Sequence, residues 1–179
     1  GEPICMIVGK TRQSAMDAAE LVDVSYEVDK QVALKLDELQ GPLVWPKTTD
    51  NIASFHRLGD RIAVEAALDM SAHQVHLDFD ISRVAACPME MRSSLGAVDK
   101  SGRLCLTTSA QSPFALHDEL AKLFKLPKDQ IRVLVPDVGG SFGMKGTLYR
   151  EDALVVWAAK HLNNPVYWAA DRTESFLSD

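Results

Sequence analysis

The chain has 179 residues, of which 46% are hydrophobic and 25% charged, with a formal net charge of −6. A chain of this length buries roughly 70% of its unfolded surface, so one domain, or one with a small appendage, needs no metal or disulfide staple. The acidic balance excludes a general nucleic-acid or anionic-membrane surface, which needs clustered Lys and Arg, and no apolar run approaches the ~20 residues of a membrane span.

No secretory signal opens the chain, and Gly1-Glu2-Pro3-Ile4 reads as the middle of a protein. Ile4 to Val8 is a short apolar run that predicts a buried strand. Thr11 to Val22 has helical spacing, with Ala15, Ala18, Ala19 and Val22 on one face; Thr11 is a candidate cap and Ser14 a competing start. Val24 to Val28 alternates apolar and polar residues, as a half-buried strand does. Residues 1–28 therefore predict a β–α–β unit too short to be a domain. Gly41-Pro42, Trp45-Pro46 and the polar stretch Lys47 to Asn51 make 29–60 a connector, and 61–179 the main portion.

Two stretches after the connector alternate with period two and predict strands, Arg61 to Ala66 and Val75 to Ile81. A turn signal at Asp99-Lys100-Ser101-Gly102 precedes another strand, Leu104 to Thr108. Ser112-Pro113 starts a helix, with Leu116, Leu120, Leu123 and Phe124 as its stripe and Leu126-Pro127 as its end. Ile131 to Val135 is a further apolar run. Tyr149 to Leu162 is helical, with Glu151 and Asp152 in its first turn and Lys160 and His161 in its last, as the helix dipole favours. Asn163-Asn164-Pro165 stops it, and Val166 to Ala170 returns as a strand.

Cys5, Cys87 and Cys105 are widely spaced and form no CxxC pair, so they read as buried, reduced thiols of a cytosolic protein. An iron–sulfur cluster needs about four cysteines, which this chain lacks. His73 and His76, on an expected strand, would point to opposite faces, and Asp78 and Asp80 read as a solvated polar face. Glu90 and Arg92 read as a structural ion pair, with lining of a site as the alternative. Lys145 supports a turn or neutralises nearby charge, and Trp45, Trp157 and Trp168 read as packing residues.

The most informative stretch is Pro136 to Lys145, where Gly139, Gly140 and Gly143 fall between an apolar run and a helix. Glycine admits positive φ and lets backbone N–H groups approach a ligand without a Cβ in the way. The phosphate-loop pattern fails, because Met144 precedes Lys145 and Gly146 follows it. The dinucleotide fingerprint fails too, since Phe142 follows Gly140 by two positions. Taken alone, the turn reads as structural.

It does not stand alone. Pro88-Met89-Glu90-Met91-Arg92, Thr107 to Pro113 and Pro136 to Lys145 occur in that order. Their order and spacing resemble the large, molybdenum-binding subunit of the xanthine dehydrogenase/aldehyde oxidase/carbon monoxide dehydrogenase family. In that family a PxE.R segment leads to a strand ending in TSxQ.P, and a helix and strand then lead to GGGFGxK. The opening Gly1-Glu2-Pro3-Ile4, with Val24 to Glu27, is similar to that family's GEPVA…AAELVEVEYE stretch from a small α/β hammerhead domain. Arg150-Glu151-Asp152, Pro165 to Trp168 and Asp171 to Glu174 fit as well, so the resemblance covers essentially the whole chain.

The resemblance implies a fold of the α+β (mixed α/β) class, a truncated hammerhead piece followed by the first lobe of a molybdopterin-binding domain. It implies a molybdenum–pterin cofactor, as molybdopterin or its cytosine dinucleotide. Gln111 matches the glutamine whose amide hydrogen-bonds an oxo ligand of the molybdenum. Phe142 and Gly143 match the phenylalanine–glycine step beside the metal, and Gly139 and Gly140 the glycines that permit the approach. Ser141 stands where a third glycine is usual, which a negative φ would allow, and Met144 where glycine or asparagine is common. The implied reaction is hydroxylation of an aldehyde or N-heterocycle, or a related oxidation, with water as oxygen source. The implied partners are the remaining segments of the large subunit, iron–sulfur and FAD subunits or domains, and a small-molecule substrate, in the cytoplasm. The family's general-base glutamate lies beyond Asp179, so neither a catalytic residue nor a direct metal ligand is expected within the chain. The chain alone is expected to be inactive and to expose apolar surface, as a trimmed chain, a proteolytic remnant or a split subunit. The competing expectation is a non-catalytic assembly or binding module that retains the fold without the cofactor.

Overall fold

The computed structural model describes residues 3–27, 42–45, 47–82 and 84–178. Gly1 and Glu2 of the family-like opening, the strand end at Val28, the first part of the connector through Gly41, and Pro46 lie outside the described residues. The chain divides into two compact units, one of residues 1–19 with 82–179 and the other of residues 20–81.

The larger unit holds a four-stranded mixed sheet in the order β3-β2-β1-β4. Its strands are β1 (Ser93–Val98), β2 (Leu104–Thr108), β3 (Ile131–Leu134) and β4 (Val166–Ala169). β1 and β2 form an antiparallel hairpin with Ala97 opposite Cys105, closed by the expected turn in which Gly102 N donates to Asp99 O at 3.0 Å. β4 also runs antiparallel to β1, while β3 runs parallel to β2. A parallel neighbour requires a crossover, and the helix Pro113–Phe124 supplies it. Pro113 takes the first helical position as expected, Leu116 and Leu120 are buried, and Leu123 is exposed.

A second long helix, Arg150–Leu162, packs across β1, β2 and β4. Gly96 makes this possible, since a Cβ built there would lie 2.2 Å from the carbonyl oxygen of Val155. Leu104, Leu106, Leu116, Leu120, Ile131, Val155 and Val156 form the core. Each fully buried side chain of this size contributes about 1.5–3 kcal/mol from burial. Asp152 sits buried beneath the sheet end, accepting from the Ser94 hydroxyl, from Thr108 Oγ1 at 3.0 Å and from Tyr149 N at 3.1 Å. It thus caps its own helix and ties it to β1 and β2. A short helix, Arg172–Ser178, follows β4.

The same unit contains a short helix near the start of the chain, Arg12–Ala19. Both cap candidates act there: Ser14 N donates to Thr11 Oγ1 at 3.1 Å, and Thr11 N to Ser14 Oγ at 3.1 Å. The helix ends before Val22. Ile4 to Val8 carries no ladder, so the expected buried strand is absent there.

The smaller unit corrects three strand expectations. Arg61 to Ala66 is the start of a helix, Arg61–Asp69, capped by Asp60, whose side chain accepts from Ala63 N at 3.1 Å. A good cap and the alanines at 63, 66 and 67 override an apolar alternation that, among the described residues, has no neighbouring strand to satisfy it. Val75 to Ile81 is not a strand either: Val75, Leu77, Phe79 and Ile81 are all exposed. Residues 24–27 likewise carry no ladder. Among the described residues no helix is long and apolar enough to cross a membrane.

Two composition-based expectations also need correction. Cys5 and Cys87 are exposed and only Cys105 is partly buried, although all three are free thiols. Of the tryptophans, Trp168 packs on the core, whereas Trp45 and Trp157 are substantially exposed, Trp157 lying against His161. Cys5, Cys87 and Trp45 sit outside regular elements, where no periodicity specifies burial, and Trp157 falls off the buried face of its helix that Asp152, Val155, Val156 and Ala159 form.

Candidate functional site

The glycine turn closes onto the two upstream segments through specific backbone requirements. Gly139 N donates to Glu90 Oε2, and Glu90 N donates back to Gly139 O at 3.4 Å. A Cβ at Gly139 would stand 2.7 Å from that of Glu90, so only glycine admits this approach. Gly140 and Gly143 both have positive φ, +103° and +95°. Between them Phe142 has φ +53°, a left-handed conformation that is strained for an aromatic residue. Ser141 is outside the left-handed region, which is the condition under which serine replaces glycine without strain.

Lys145 is the hub. Its side chain is 1% exposed, and its ammonium lies 3.0 Å from Glu90 Oε2. Its backbone N–H donates to Ser141 Oγ at 2.9 Å, and its carbonyl accepts from Gln111 N at 2.9 Å. The Ser141 hydroxyl in turn donates to Oε1 of Gln111. One residue therefore fastens all three segments: Glu90 of the first, Gln111 of the second and Ser141 of the turn. Tyr149 Oη closes the far side by donating to Met144 O at 2.6 Å.

What this leaves unused is a set of donors. Among the described residues, Nε2 of Gln111 and the backbone N–H groups of Phe142 and Gly143 make no hydrogen bond. No heavy atom lies within 4 Å of where a Gly143 Cβ would be, so that side of the turn is open. The Phe142 ring is 79% exposed. Unpaired N–H groups at successive positions around left-handed residues form a concavity suited to anions or acceptor oxygens. The six expected residues Gln111, Gly139, Gly140, Ser141, Phe142 and Gly143 thus lie on one turn and its neighbour strand end, with different tasks. Gly139 and Gly140 allow close packing, Ser141 bonds within the turn, and Gln111, Phe142 and Gly143 carry open donors.

Glu90 and Arg92 take separate partners. Arg92 donates to Glu151 at 3.1 Å and to Ser178 Oγ at 3.2 Å, and its guanidinium lies 3.7 Å from the Tyr149 ring centroid. That binds the segment of Glu90 to both C-terminal helices, and is structural. The sequence reading missed the burial of Lys145 and the Ser141 hydroxyl's role. The available signal was spacing: a hydroxyl four residues ahead of the lysine, across a tight turn. His73, His76, Asp78 and Asp80 lie in the smaller unit and are exposed, with His76 3.2 Å from Asp78. Among the described residues no group of three or more His, Cys, Asp or Glu side chains is placed to hold a metal ion.

Residues 44–179 match the model of the molybdopterin cofactor-binding domain family. The chain is 34% identical to the nicotine 6-hydroxylase large subunit of Paenarthrobacter nicotinovorans, over 99% of its own length and 22% of that protein's. It is 31% identical to the carbon monoxide dehydrogenase large chain of Afipia carboxidovorans, over 97% of its length and 23% of that chain's. Among solved structures, quinoline 2-oxidoreductase from Pseudomonas putida 86 superposes with a TM-score of 0.80 at 34% identity, covering 92% of this chain and 21% of that one. The chain thus spans about a fifth of the length of the relatives it matches. The family match over most of the chain, and the fold shared with a 34%-identical structure, show that it belongs to the molybdopterin cofactor-binding domain family, as a stretch homologous to the large subunits of molybdenum hydroxylases.

Proposed function

We propose that this chain forms one wall of a molybdenum–pterin site in a molybdenum-dependent oxidoreductase, with the donors at Gln111, Phe142 and Gly143 facing the cofactor. The observation that carries the reading is the unspent donor set on a turn that hydrogen bonds at Gly139, Ser141 and Lys145 hold in place. The residues fit such a group. Its oxygen- and sulfur-rich, negatively charged parts are acceptors, and the turn offers N–H groups without an opposing carboxylate, because Glu90 is engaged by Lys145 and Gly139.

When bound, the cofactor supplies a two-electron redox centre that passes electrons to partner centres. The chain's own part is positioning. Gln111 donates from Nε2, and Phe142 and Gly143 donate from the backbone. Hydrogen bonds to a charged acceptor contribute about 1.5–3 kcal/mol each. The rigidity of the Lys145 hub means that little reorganisation is needed on binding.

In the full protein we place this wall within a large subunit that hydroxylates an aldehyde or N-heterocycle, or carries out a related oxidation, working with iron–sulfur and FAD partners in the cytoplasm. On the same reading residues 1–28 derive from an α/β hammerhead, and the general base comes from outside these 179 residues. The names of the relatives, a nicotine hydroxylase, a carbon monoxide dehydrogenase and a quinoline oxidoreductase, support the reaction class. The test is molybdenum and pterin analysis of the full-length chain purified with its partners. Stoichiometric metal that falls in a Gln111→Ala variant is expected. A folded, complete assembly without molybdenum would sink the reading in favour of a non-catalytic assembly module.

A further inference from the structure

We infer that Ser141 is a positioning residue that sets the orientation of the Gln111 carboxamide, so that Gln111 presents donors and not its carbonyl to whatever occupies the turn. The inference rests on the cofactor reading above for its purpose, but its geometry stands independently.

The argument is a count of protons. Ser141 is largely buried, and its hydroxyl oxygen already accepts the Lys145 N–H at 2.9 Å. A backbone N–H can only donate, so the hydroxyl must spend its single proton elsewhere. Among the described residues the acceptor it finds is Oε1 of Gln111. With the carbonyl oxygen taken, the –NH2 end of the carboxamide is the end left open. Reversing the amide would set Nε2 against Ser141 Oγ, leaving the hydroxyl proton without an acceptor in a nearly dry position. The carboxamide's other anchor is its own backbone, since Gln111 N donates to Lys145 O. The same residue, Lys145, thereby fixes both the hydroxyl and the main chain of the glutamine.

The identity of residue 141 therefore carries information beyond its tolerance of the turn. Glycine or alanine there would preserve the backbone but release the amide to rotate. The chemistry it would control is recognition of acceptor atoms: an amide held by its oxygen offers two N–H donors, and a freely rotating one offers an acceptor half the time. Nothing in the Lys145–Glu90 pair compensates, because neither group touches the carboxamide oxygen in the hydrogen bonds formed.

The test uses the full-length chain with its partners, as wild type, Ser141→Ala and Ser141→Thr, labelled with 15N-glutamine. The Gln111 carboxamide is read by NMR, with the backbone Gln111 amide as the fold control. The expected result is one sharp carboxamide proton pair in wild type and Ser141→Thr, and a broadened or doubled pair in Ser141→Ala, with the backbone resonance unmoved. In molybdenum-loaded protein, Ser141→Ala is expected to lose about tenfold in turnover with KM and metal content retained. Identical carboxamide signals in wild type and Ser141→Ala would overturn the inference, whatever the activity shows. Absence of molybdenum from wild type would defeat the cofactor reading instead, and leave the NMR comparison to decide the role of Ser141.

Discussion

Lys145 places a buried ammonium 3.0 Å from the carboxylate of Glu90, and that carboxylate also receives the N–H of Gly139. Burying an ammonium is costly unless a counter-charge accompanies it. The pair therefore holds the segment at 88–92 to the glycine turn by penalty: either partner alone is worse than both together.

Glu90→Gln keeps the shape but strands the Lys145 charge, and is expected to destabilise the fold by about 3 kcal/mol, the lower end for a broken buried pair because Glu90 is itself partly exposed. Lys145→Met should cost less, and the double variant less than the sum of the singles. Urea midpoints of the four proteins check this. Strict additivity would mean the two groups are not coupled.

The long helix Arg150–Leu162 lies so close over β1 that Gly96 has no space for a methyl group. Gly96→Ala must push the helix backbone at Val155 outward, and is expected to cost about 1–3 kcal/mol, the range for overpacking. An alanine variant with an unchanged thermal midpoint would show that the helix yields freely.

Lys125 ends the helix Pro113–Phe124 with φ +54°, and Leu126 N completes the cap by donating to Ala121 O at 3.0 Å. A left-handed conformation costs a non-glycine residue about 1 kcal/mol, part of which glycine returns as backbone entropy. Lys125→Gly should therefore raise stability by about 0.5 kcal/mol. A lower denaturation midpoint would contradict the cap assignment.

Acid should loosen the hairpin of β1 and β2. The Ser101 hydroxyl is the main cause holding the Asp99 carboxyl well below the usual carboxylate range, reinforced by the Arg103 side chain and the backbone N–H groups of both. Because the folded form holds the proton less tightly than the unfolded chain, the contribution is complete above the unfolded value of about 4. It declines as pH falls from there toward the lower folded value. Asp99→Asn should flatten the acid limb of the stability-against-pH curve and leave its slope near neutrality alone. An unaltered acid limb would exclude Asp99 as a contributor.

Legibility in the sequence followed the source of each residue's constraint. The helix at Arg150–Leu162, with its acidic start and basic end, was readable because caps and dipole act within one segment. The strands β2 and β3 were readable from apolar runs, since both are bounded by clear turn signals. Arg61 to Ala66 was misread because Ile62, Val64 and Ala66 satisfy a two-residue period as readily as the helix that Asp60 caps. Only a neighbouring strand would have decided it. At the site, the glycines and Phe142 announced an unusual backbone. The spacing of Ser141 and Lys145 was legible, but their partners Gln111 and Glu90 lie 30 and 55 residues away, beyond any local pattern.

Phe142 separates backbone strain from side-chain function in one position. Its φ of +53° disfavours any side chain, while its exposed ring gains little from burial. Phe142→Gly should thus be more stable than Phe142→Ala by about 1 kcal/mol, since only the alanine keeps the strain. Both lose the ring, so on the cofactor reading both should lose turnover in the assembled enzyme while the glycine variant equals or exceeds wild type in stability. That pattern, a more stable protein that works less well, is the expected mark of strain retained for a site. If Phe142→Gly proved less stable than Phe142→Ala, the left-handed backbone would not be a cost, and the open N–H groups it presents would need another explanation.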